Sequence, residues 1–261
     1  MLLGNILNTL FCKNELSPVS IAQMGQYAEN QFFGKPSGLM DQMASSVGGA
    51  VAIDFADPAA PVIEPLAVGF HAANQGGAHA GQTAVVMGAG CIGLVSMMAL
   101  KAEGVSHVYV VDIMEKRLDK ALELGADGVI NSRDQDAVQA VLALTDGLGC
   151  DLVIETAGTE ITTRQAIQMT RKGATIVLVG YSKSGEMTLP MSLALDKELT
   201  FKTVFRYRHI YPMAIDAVAS GRVNLKGIVT DIFDFDDIQN AMDRSVADKA
   251  NIVKAVVKIA K

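Results

Sequence analysis

The sequence predicts an α/β fold built on a doubly wound parallel sheet, and three observations support this prediction. From Thr83 onward, short apolar segments alternate regularly with helical segments. The apolar segments are continuous runs, which is typical of parallel strands that helices cover on both faces. A glycine-rich turn joins the first strand, at 83–87, to the first helix, at 94–103. Such alternation implies right-handed crossovers and strands that share one sheet.

The elements that follow keep the same alternation until the C-terminal part of the chain. We predict strands at 107–112, 128–131, 151–156, 173–180 and 199–204, and helices at 115–124, 134–144, 161–171 and 211–220. Gly125 and Gly221 follow two of these helices, and glycine commonly ends a helix because it accepts the left-handed conformation. The C-terminal part predicts a strand at 227–235, a helix at 236–245 and a strand at 251–259 that need not join the parallel sheet.

The first 61 residues have a different pattern, which predicts a small α+β fragment. A helical pattern covers 6–31, a loop covers 33–38, and a further helix and a strand are predicted at 39–46 and 50–55. The proline-rich stretch 57–61 has the composition of a linker. We therefore expect a boundary at 61/62 and a second boundary at 226/227, which separates a C-terminal segment, 227–261, from the region with the regular alternation.

Composition excludes several classes of function. The chain has 261 residues, a net charge of −6 and no basic run, which argues against nucleic acid as a partner. Its three cysteines are scattered and form neither a disulfide framework nor a metal-binding pair, which fits a reducing, cytoplasmic setting. The uncharged stretch between Glu64 and Lys101 contains several glycines, so a buried strand, turn and helix explains it better than a membrane span.

The turn after the first strand has the glycine spacing of a dinucleotide-binding loop. Gly88 allows a tight turn, Gly90 lets the backbone approach a pyrophosphate, and Gly93 lets the helix pack closely on the strand. The N–H groups of the first helical turn, at Cys91 and Ile92, are expected to face the phosphates. This Rossmann-like arrangement predicts a site for NAD or NADP.

An acidic residue at the end of the next strand indicates which dinucleotide is bound. The Asp112 carboxylate can accept hydrogen bonds from both ribose hydroxyls of NAD, and its charge disfavours the 2′-phosphate of NADP. Lys116 and Arg117 follow closely, and a cation there can hold that phosphate. We therefore expect NAD, with Arg117 at the site, and NADP stays open.

Residues 64–261 resemble the zinc-dependent medium-chain dehydrogenases, most of all the polyol branch of sorbitol, iditol and xylitol dehydrogenases. The resemblance lies in the glycine-rich turn together with 64–72, 110–112, 155–158, 178–181, 205–207 and 228–231. It implies an NAD-binding domain over 62–226, oxidation of a secondary alcohol by hydride transfer to NAD, and a homo-oligomer. It also implies that Phe205 and Arg206 lie on the nicotinamide side. Gly180 ends a predicted strand, where ligands of such sheets bind.

In that family a separate N-terminal domain supplies most of the catalytic zinc site. The resemblance makes Glu64 a zinc ligand or a near neighbour of the zinc. Residues 1–63 hold no histidine and only one cysteine, Cys12, so they offer no further ligand set. We expect that zinc is not bound here and that the chain is not competent alone.

Residues 4–64 resemble part of bacterial galactokinase, on the segments 25–30 and 34–46. The resemblance makes Asp41 the carboxylate that activates a sugar hydroxyl. The kinase's ATP-binding loop is missing, and a carboxylate without a phosphate cradle cannot carry phosphoryl transfer, so we expect Asp41 to be inactive. We interpret the chain as a chimera joined near 62–65. A sugar kinase remnant and a non-catalytic NAD-binding or interaction module are the alternative functions.

Overall fold

A computed structural model describes residues 62–248 and 251–258, together with Cys12, Glu15, Leu16, Ser20, Ile21, Met24 and Tyr27. The elements below belong to a compact unit of residues 57–205 and 209–261. Ser20, Ile21, Met24 and Tyr27 are helical, as the pattern at 6–31 predicts. The predicted helix at 39–46, the predicted strand at 50–55 and Asp41 lie outside the described residues.

Within the described residues, six parallel strands form a single sheet in the order β3-β2-β1-β4-β5-β6. The strands are β1 (Thr83–Met87), β2 (His107–Asp112), β3 (Gly128–Asn131), β4 (Cys150–Glu155), β5 (Thr170–Leu178) and β6 (Thr200–Thr203). This order confirms the predicted doubly wound, Rossmann-like fold. The strand order reverses between β1 and β4, and ligands of such sheets bind at the carboxyl ends of the strands at this point.

The helices of the described region alternate with these strands. They are α1 (Ile63–Gly76), α2 (Cys91–Ala102), α3 (Glu115–Glu123), α4 (Ala137–Leu144), α5 (Glu160–Met169), α6 (Met191–Asp196), α7 (Tyr211–Ala219) and α8 (Ile238–Ala247). The sequence predicted α2 to α5, α7 and α8 to within a few residues, but it assigned no helix with bounds to α1 or to the short helix α6. No helix in the described ranges is long and apolar enough to cross a membrane.

Capping residues explain where two of these helices begin and end. Asp136 precedes α4, and its carboxylate accepts hydrogen bonds from Val138 N at 2.8 Å and Gln139 N at 3.1 Å. This cap starts the helix at Ala137 rather than at the predicted residue 134, because it satisfies N–H groups that have no partner within the helix. Gly125 follows α3 with a φ of 101°, a conformation that ends the helix.

Apolar layers cover both faces of the sheet. Gly69 of α1 lies so close to α2 that an added Cβ would sit 2.7 Å from Val95 O, so these two helices pack with backbones nearly in contact. On the other face, Val141 of α4 and Ile167 of α5 are buried in one cluster with Val85 of β1. Burial on both faces explains why the strand sequences are continuous apolar runs.

The C-terminal part corrects one predicted element. The strand expected at 227–235 is divided into a 3₁₀ turn at Leu225–Ile228 and a short strand, β7 (Asp231–Asp234). A second strand, β8 (Ala255–Lys258), pairs with β7 in parallel and forms a separate two-stranded sheet within the described residues. The expectation that the last strand need not join the large sheet is confirmed.

Candidate dinucleotide-binding site

A cleft of about 580 Å³ opens where β1, β2 and β4 end. It is lined by Gly88, Gly90, Cys91, Ile92, Gly93, Asp112, Ile113, Met114, Arg117, Thr156 and Ala157. Seven of these were proposed from the sequence as cofactor-binding residues, and the structure brings them together at one edge of the sheet. The other four, Ile113, Met114, Thr156 and Ala157, were missed, although 155–158 was one of the segments that carried the family resemblance.

Two of the glycines are required by the fold itself. Gly88 has a φ of 97°, and its N–H donates to Val111 O at 2.7 Å, which ties the turn to β2. A Cβ on Gly93 would lie 1.8 Å from Gly88 O, so α2 can start against the turn only without a side chain there. These two residues shape the loop whether or not a ligand is bound.

Gly90 is different, because none of the described residues demands a glycine there. Its φ of −74° and ψ of −177° suit any residue, and an added Cβ would meet no atom within 4 Å. The open space beside Gly90 belongs to the cleft. The absence of a side chain therefore leaves room for a ligand to approach the backbone, which is what a pyrophosphate needs.

The start of α2 gives this space a positive character. Gly90 is the N-cap of α2 and has no side-chain cap, and no acidic side chain lies in the first turn. The N–H groups at Cys91, Ile92 and Gly93 begin the helix and cannot bond to carbonyls of a preceding turn. Together with the helix dipole they favour an anion, so the cleft suits a phosphate group.

Asp112 ties the end of β2 to the glycine-rich turn. One carboxylate oxygen accepts a hydrogen bond from Ala89 N at 2.6 Å. The other accepts from Ile113 N at 2.7 Å and Met114 N at 2.9 Å. A carboxylate has about four acceptor sites, so one remains for a ribose hydroxyl, on the oxygen that accepts from Ala89 N. Arg117 on α3 lines the same end of the cleft and places a cation there.

Burial changes the pKa of two groups at this site. Cys91 is half-buried, and burial raises the pKa of its thiol; the charge of Lys254 opposes this shift and that of Glu64 adds to it. Glu155 is fully buried, and burial raises its pKa, while hydrogen bonds from Thr162, Gly158 and Ala157 act in the opposite direction. The Cys91 thiol is therefore a neutral lining group at neutral pH.

The remaining sequence-predicted residues lie beyond the ends of β5 and β6. A Cβ on Gly180 would lie 2.3 Å from Gly158 N, so this glycine allows two loops to touch. Tyr181 and Phe205 meet edge to face, with ring centroids 6.2 Å apart, and are 71% and 52% exposed. These residues do not line the cleft, and Arg206, which follows Phe205 in the chain, stays a prediction.

The metal prediction concerns Glu64, in the first turn of α1. In the described residues, 62–248 and 251–258 above all, no group of three or more His, Cys, Asp or Glu side chains is placed to hold a metal ion. The role of Glu64 as a zinc ligand or as a near neighbour of the zinc stays a prediction.

Known proteins with similar sequences cover most of this region. A family model described as zinc-binding dehydrogenase matches residues 91–220. An uncharacterized zinc-type alcohol dehydrogenase-like protein of Escherichia coli, YdjJ, is 41% identical over 198 residues, 76% of this chain and 56% of its own length. Sorbitol dehydrogenase of Bacillus subtilis is 35% identical over the same shares of both chains. L-idonate 5-dehydrogenase of Vitis vinifera is 32% identical over 92% of this chain and 69% of its own length.

The chain belongs to the zinc-binding dehydrogenase family. Solved structures agree with this assignment: an Escherichia coli oxidoreductase of unknown specificity, ECK1772, has a TM-score of 0.74 and 40% identity, over 77% of this chain and 57% of that chain. An alcohol dehydrogenase of Escherichia coli CFT073 in complex with NADH has a TM-score of 0.71 and 28% identity, over 79% of this chain and 61% of that one.

Two further findings concern the extent of the match. The chain spans 56% of the length of YdjJ and of the Bacillus sorbitol dehydrogenase, which is little more than half of these dehydrogenases. A second family model, described as the N-terminal domain of GHMP kinases, matches residues 1–49. The match is weak, and the origin of the chain from two families stays a prediction.

Proposed function

We propose that residues 62–258 bind NAD as the cofactor-binding part of a dehydrogenase that acts on an alcohol or polyol. The observation that carries the proposal is the open space at Gly90, beside the uncapped start of α2. The part of the chain that the structure describes does not require a glycine there, whereas a bound pyrophosphate does. Relatives that are named as sorbitol and L-idonate dehydrogenases support the substrate class.

Different residues would bind different parts of the cofactor. The backbone N–H groups at the start of α2 would hold the pyrophosphate, and Gly90 would allow its approach. Asp112 would accept a hydrogen bond from the adenosine ribose, and its charge favours NAD over NADP. Gly180, Tyr181, Phe205 and Arg206 would face the nicotinamide half. When bound, NAD supplies the acceptor for the hydride that leaves the alcohol carbon.

Turnover by this chain alone is a separate matter from cofactor binding. The family resemblance implies that a separate N-terminal domain supplies most of the catalytic zinc site, and in such enzymes zinc polarises the alcohol for hydride transfer. We therefore propose that residues 62–258 bind NAD without oxidising a polyol by themselves. Domain boundaries at 61/62 and 226/227, self-association and a cytoplasmic location belong to the same proposal.

A fluorescence titration with NADH tests the proposed function. Wild-type protein should bind NADH saturably at micromolar to millimolar concentrations, and NADPH more weakly. With sorbitol or xylitol, NAD and added Zn²⁺, we expect no reduction of NAD. Absence of NADH binding up to millimolar concentration would contradict cofactor binding, and polyol oxidation would contradict the lack of turnover. An assay with ATP and galactose examines the kinase alternative, for which we expect no phosphorylation.

A further inference from the structure

Thr156 is the first residue after β4 and lies against the glycine-rich turn. Its backbone N–H donates to Met87 O at 2.9 Å, which continues the pairing of β4 with β1. Its hydroxyl donates to the same oxygen at 2.8 Å and lies 3.3 Å from Gly88 O. The side chain thus adds a second connection between β4 and the start of the turn, at the point where the strand order reverses.

The Thr156 hydroxyl also fills the space that two of the glycines leave open. A Cβ on Gly88 would lie 2.9 Å from Thr156 Oγ1, and a Cβ on Gly93 would lie 3.1 Å from it. The hydroxyl is therefore packed between the first and the last glycine of the loop. It does not approach Gly90, where the added Cβ has no neighbour within 4 Å.

The buried carboxylate of Glu155 holds the chain on the other side of Thr156. Its Oε1 accepts hydrogen bonds from Ala157 N at 2.9 Å, Gly158 N at 3.0 Å and Thr162 Oγ1 at 2.9 Å. A carboxylate that accepts several hydrogen bonds in a buried place restrains the loop strongly, because each lost bond leaves a buried group unsatisfied. Thr156 is consequently presented to the turn in one orientation.

We infer that Thr156 is a positioning residue for the dinucleotide: its hydroxyl holds the carbonyls of Met87 and Gly88 so that the following N–H groups are aligned for the pyrophosphate. Glu155 acts through Thr156 by fixing the loop at 157–158. The inference rests on the proposed function and adds to it a residue that does not itself need to contact the ligand. An aligned set of donors binds more tightly, because less freedom is lost on binding.

Two pairs of variants test this inference. Thr156→Ala and Thr156→Ser differ only in the hydroxyl, so their comparison isolates the hydrogen bond. Thr145→Ala and Thr145→Ser form the matched control: Thr145 is also half-buried, and its hydroxyl donates to Val141 O at 2.8 Å, but it does not line the cleft. NADH affinity is measured by titration, and amide hydrogen exchange of 88–93 is measured without ligand.

We expect Thr156→Ala to raise the Kd for NADH about tenfold, whereas Thr156→Ser stays within about twofold of wild type. Exchange at 88–93 should be faster in Thr156→Ala than in Thr156→Ser, and neither Thr145 variant should change it. Equal NADH affinity of the two Thr156 variants, or equal exchange at 88–93, would overturn the inference. Failure of wild type to bind NADH would instead contradict the proposed function, and the exchange comparison would still test the positioning of the loop.

Discussion

The two halves of the carboxyl edge of the sheet are built in contrasting ways. At β1 and β2, the turn is tied to its neighbours by short hydrogen bonds, from Gly88 N to Val111 O and from Ala89 N to Asp112. At β5 and β6, Tyr181 and Phe205 meet each other but remain largely exposed. The first half is a preorganised polar cleft, whereas the second is an open aromatic surface. If NAD binds as proposed, the described residues offer a more complete site for its adenosine and pyrophosphate half than for its nicotinamide half.

The largest effect is expected from Gly93→Ala, which tests the polar cleft at β1 and β2. Its Cβ would lie 1.8 Å from Gly88 O, so the turn or α2 must move. We expect the free energy of unfolding to fall by about 3 kcal/mol, as for an overpacked core position. Denaturant unfolding measures this loss. Gly90→Ala is the control, because its Cβ meets no atom within 4 Å; equal unfolding midpoints of the two variants would contradict the account.

Gly90→Asp separates binding from folding in the same loop. Aspartate is a favoured N-cap, so α2 should remain stable or gain stability. Its charge would face the pyrophosphate, and we expect NADH affinity to fall on the order of 100-fold. Thermal unfolding and NADH titration are the two measurements. Gly90→Asn keeps the cap without the charge and should lose less affinity; unchanged NADH binding by Gly90→Asp would exclude Gly90 from the phosphate site.

Asp112→Asn tests how the polar half distinguishes NAD from NADP. An amide in place of the carboxylate loses the charge-assisted hydrogen bond from Ala89 N and the repulsion of a 2′-phosphate. We expect NADH affinity to fall about tenfold and NADPH affinity to change less. The preference for NADH over NADPH should therefore become smaller. Titrations with NADH and with NADPH measure the two affinities. Asp119→Asn is the control, because it removes the same charge at an exposed position of α3 and should leave both affinities unchanged. If Asp112→Asn keeps the wild-type preference for NADH over NADPH, the assignment of Asp112 to the adenosine ribose is contradicted.

The smallest effect is expected in the open half, from Tyr181→Ala. The ring is 71% exposed, so its loss should cost less than about 1 kcal/mol of stability. We expect the Kd for NADH to rise about threefold and that for ADP-ribose, which lacks the nicotinamide, to stay the same. Calorimetry with both ligands measures the difference. Tyr181→Phe keeps the ring and should bind both ligands as wild type does. If Tyr181→Ala loses as much affinity for ADP-ribose as for NADH, the nicotinamide does not lie at Tyr181.

The sequence predicted the first half of the sheet better than the second, for physical reasons. The bounds of β1, β2 and β3 agree with the prediction, because each is an apolar run between polar residues or glycines. In contrast, β5 begins at Thr170 rather than at the predicted residue 173. A register irregularity in its pairing with β4 brings the charged Arg171 into the strand. Local pattern does not reveal a register that is set by a neighbouring strand.

The same distinction holds for the candidate site. Glycine spacing and an acidic strand end identify the loop and Asp112, because these residues act through local backbone geometry. Thr156 and Ala157 reach the cleft only because β4 lies beside β1. The local sequence does not predict that these two strands are neighbours. The hydrogen bonds that Ala89 N donates to Asp112 and that the Thr156 hydroxyl donates to Met87 O likewise join residues far apart in sequence.

Calorimetric titration of wild-type protein with ADP-ribose and with NADH tests the central claim most directly. If the polar half of the edge carries the binding, ADP-ribose should bind with a Kd within about tenfold of that for NADH. Binding of NADH without measurable binding of ADP-ribose would contradict the account, since affinity would then reside in the nicotinamide half. Binding of neither ligand at millimolar concentration would contradict the assignment of the cleft itself.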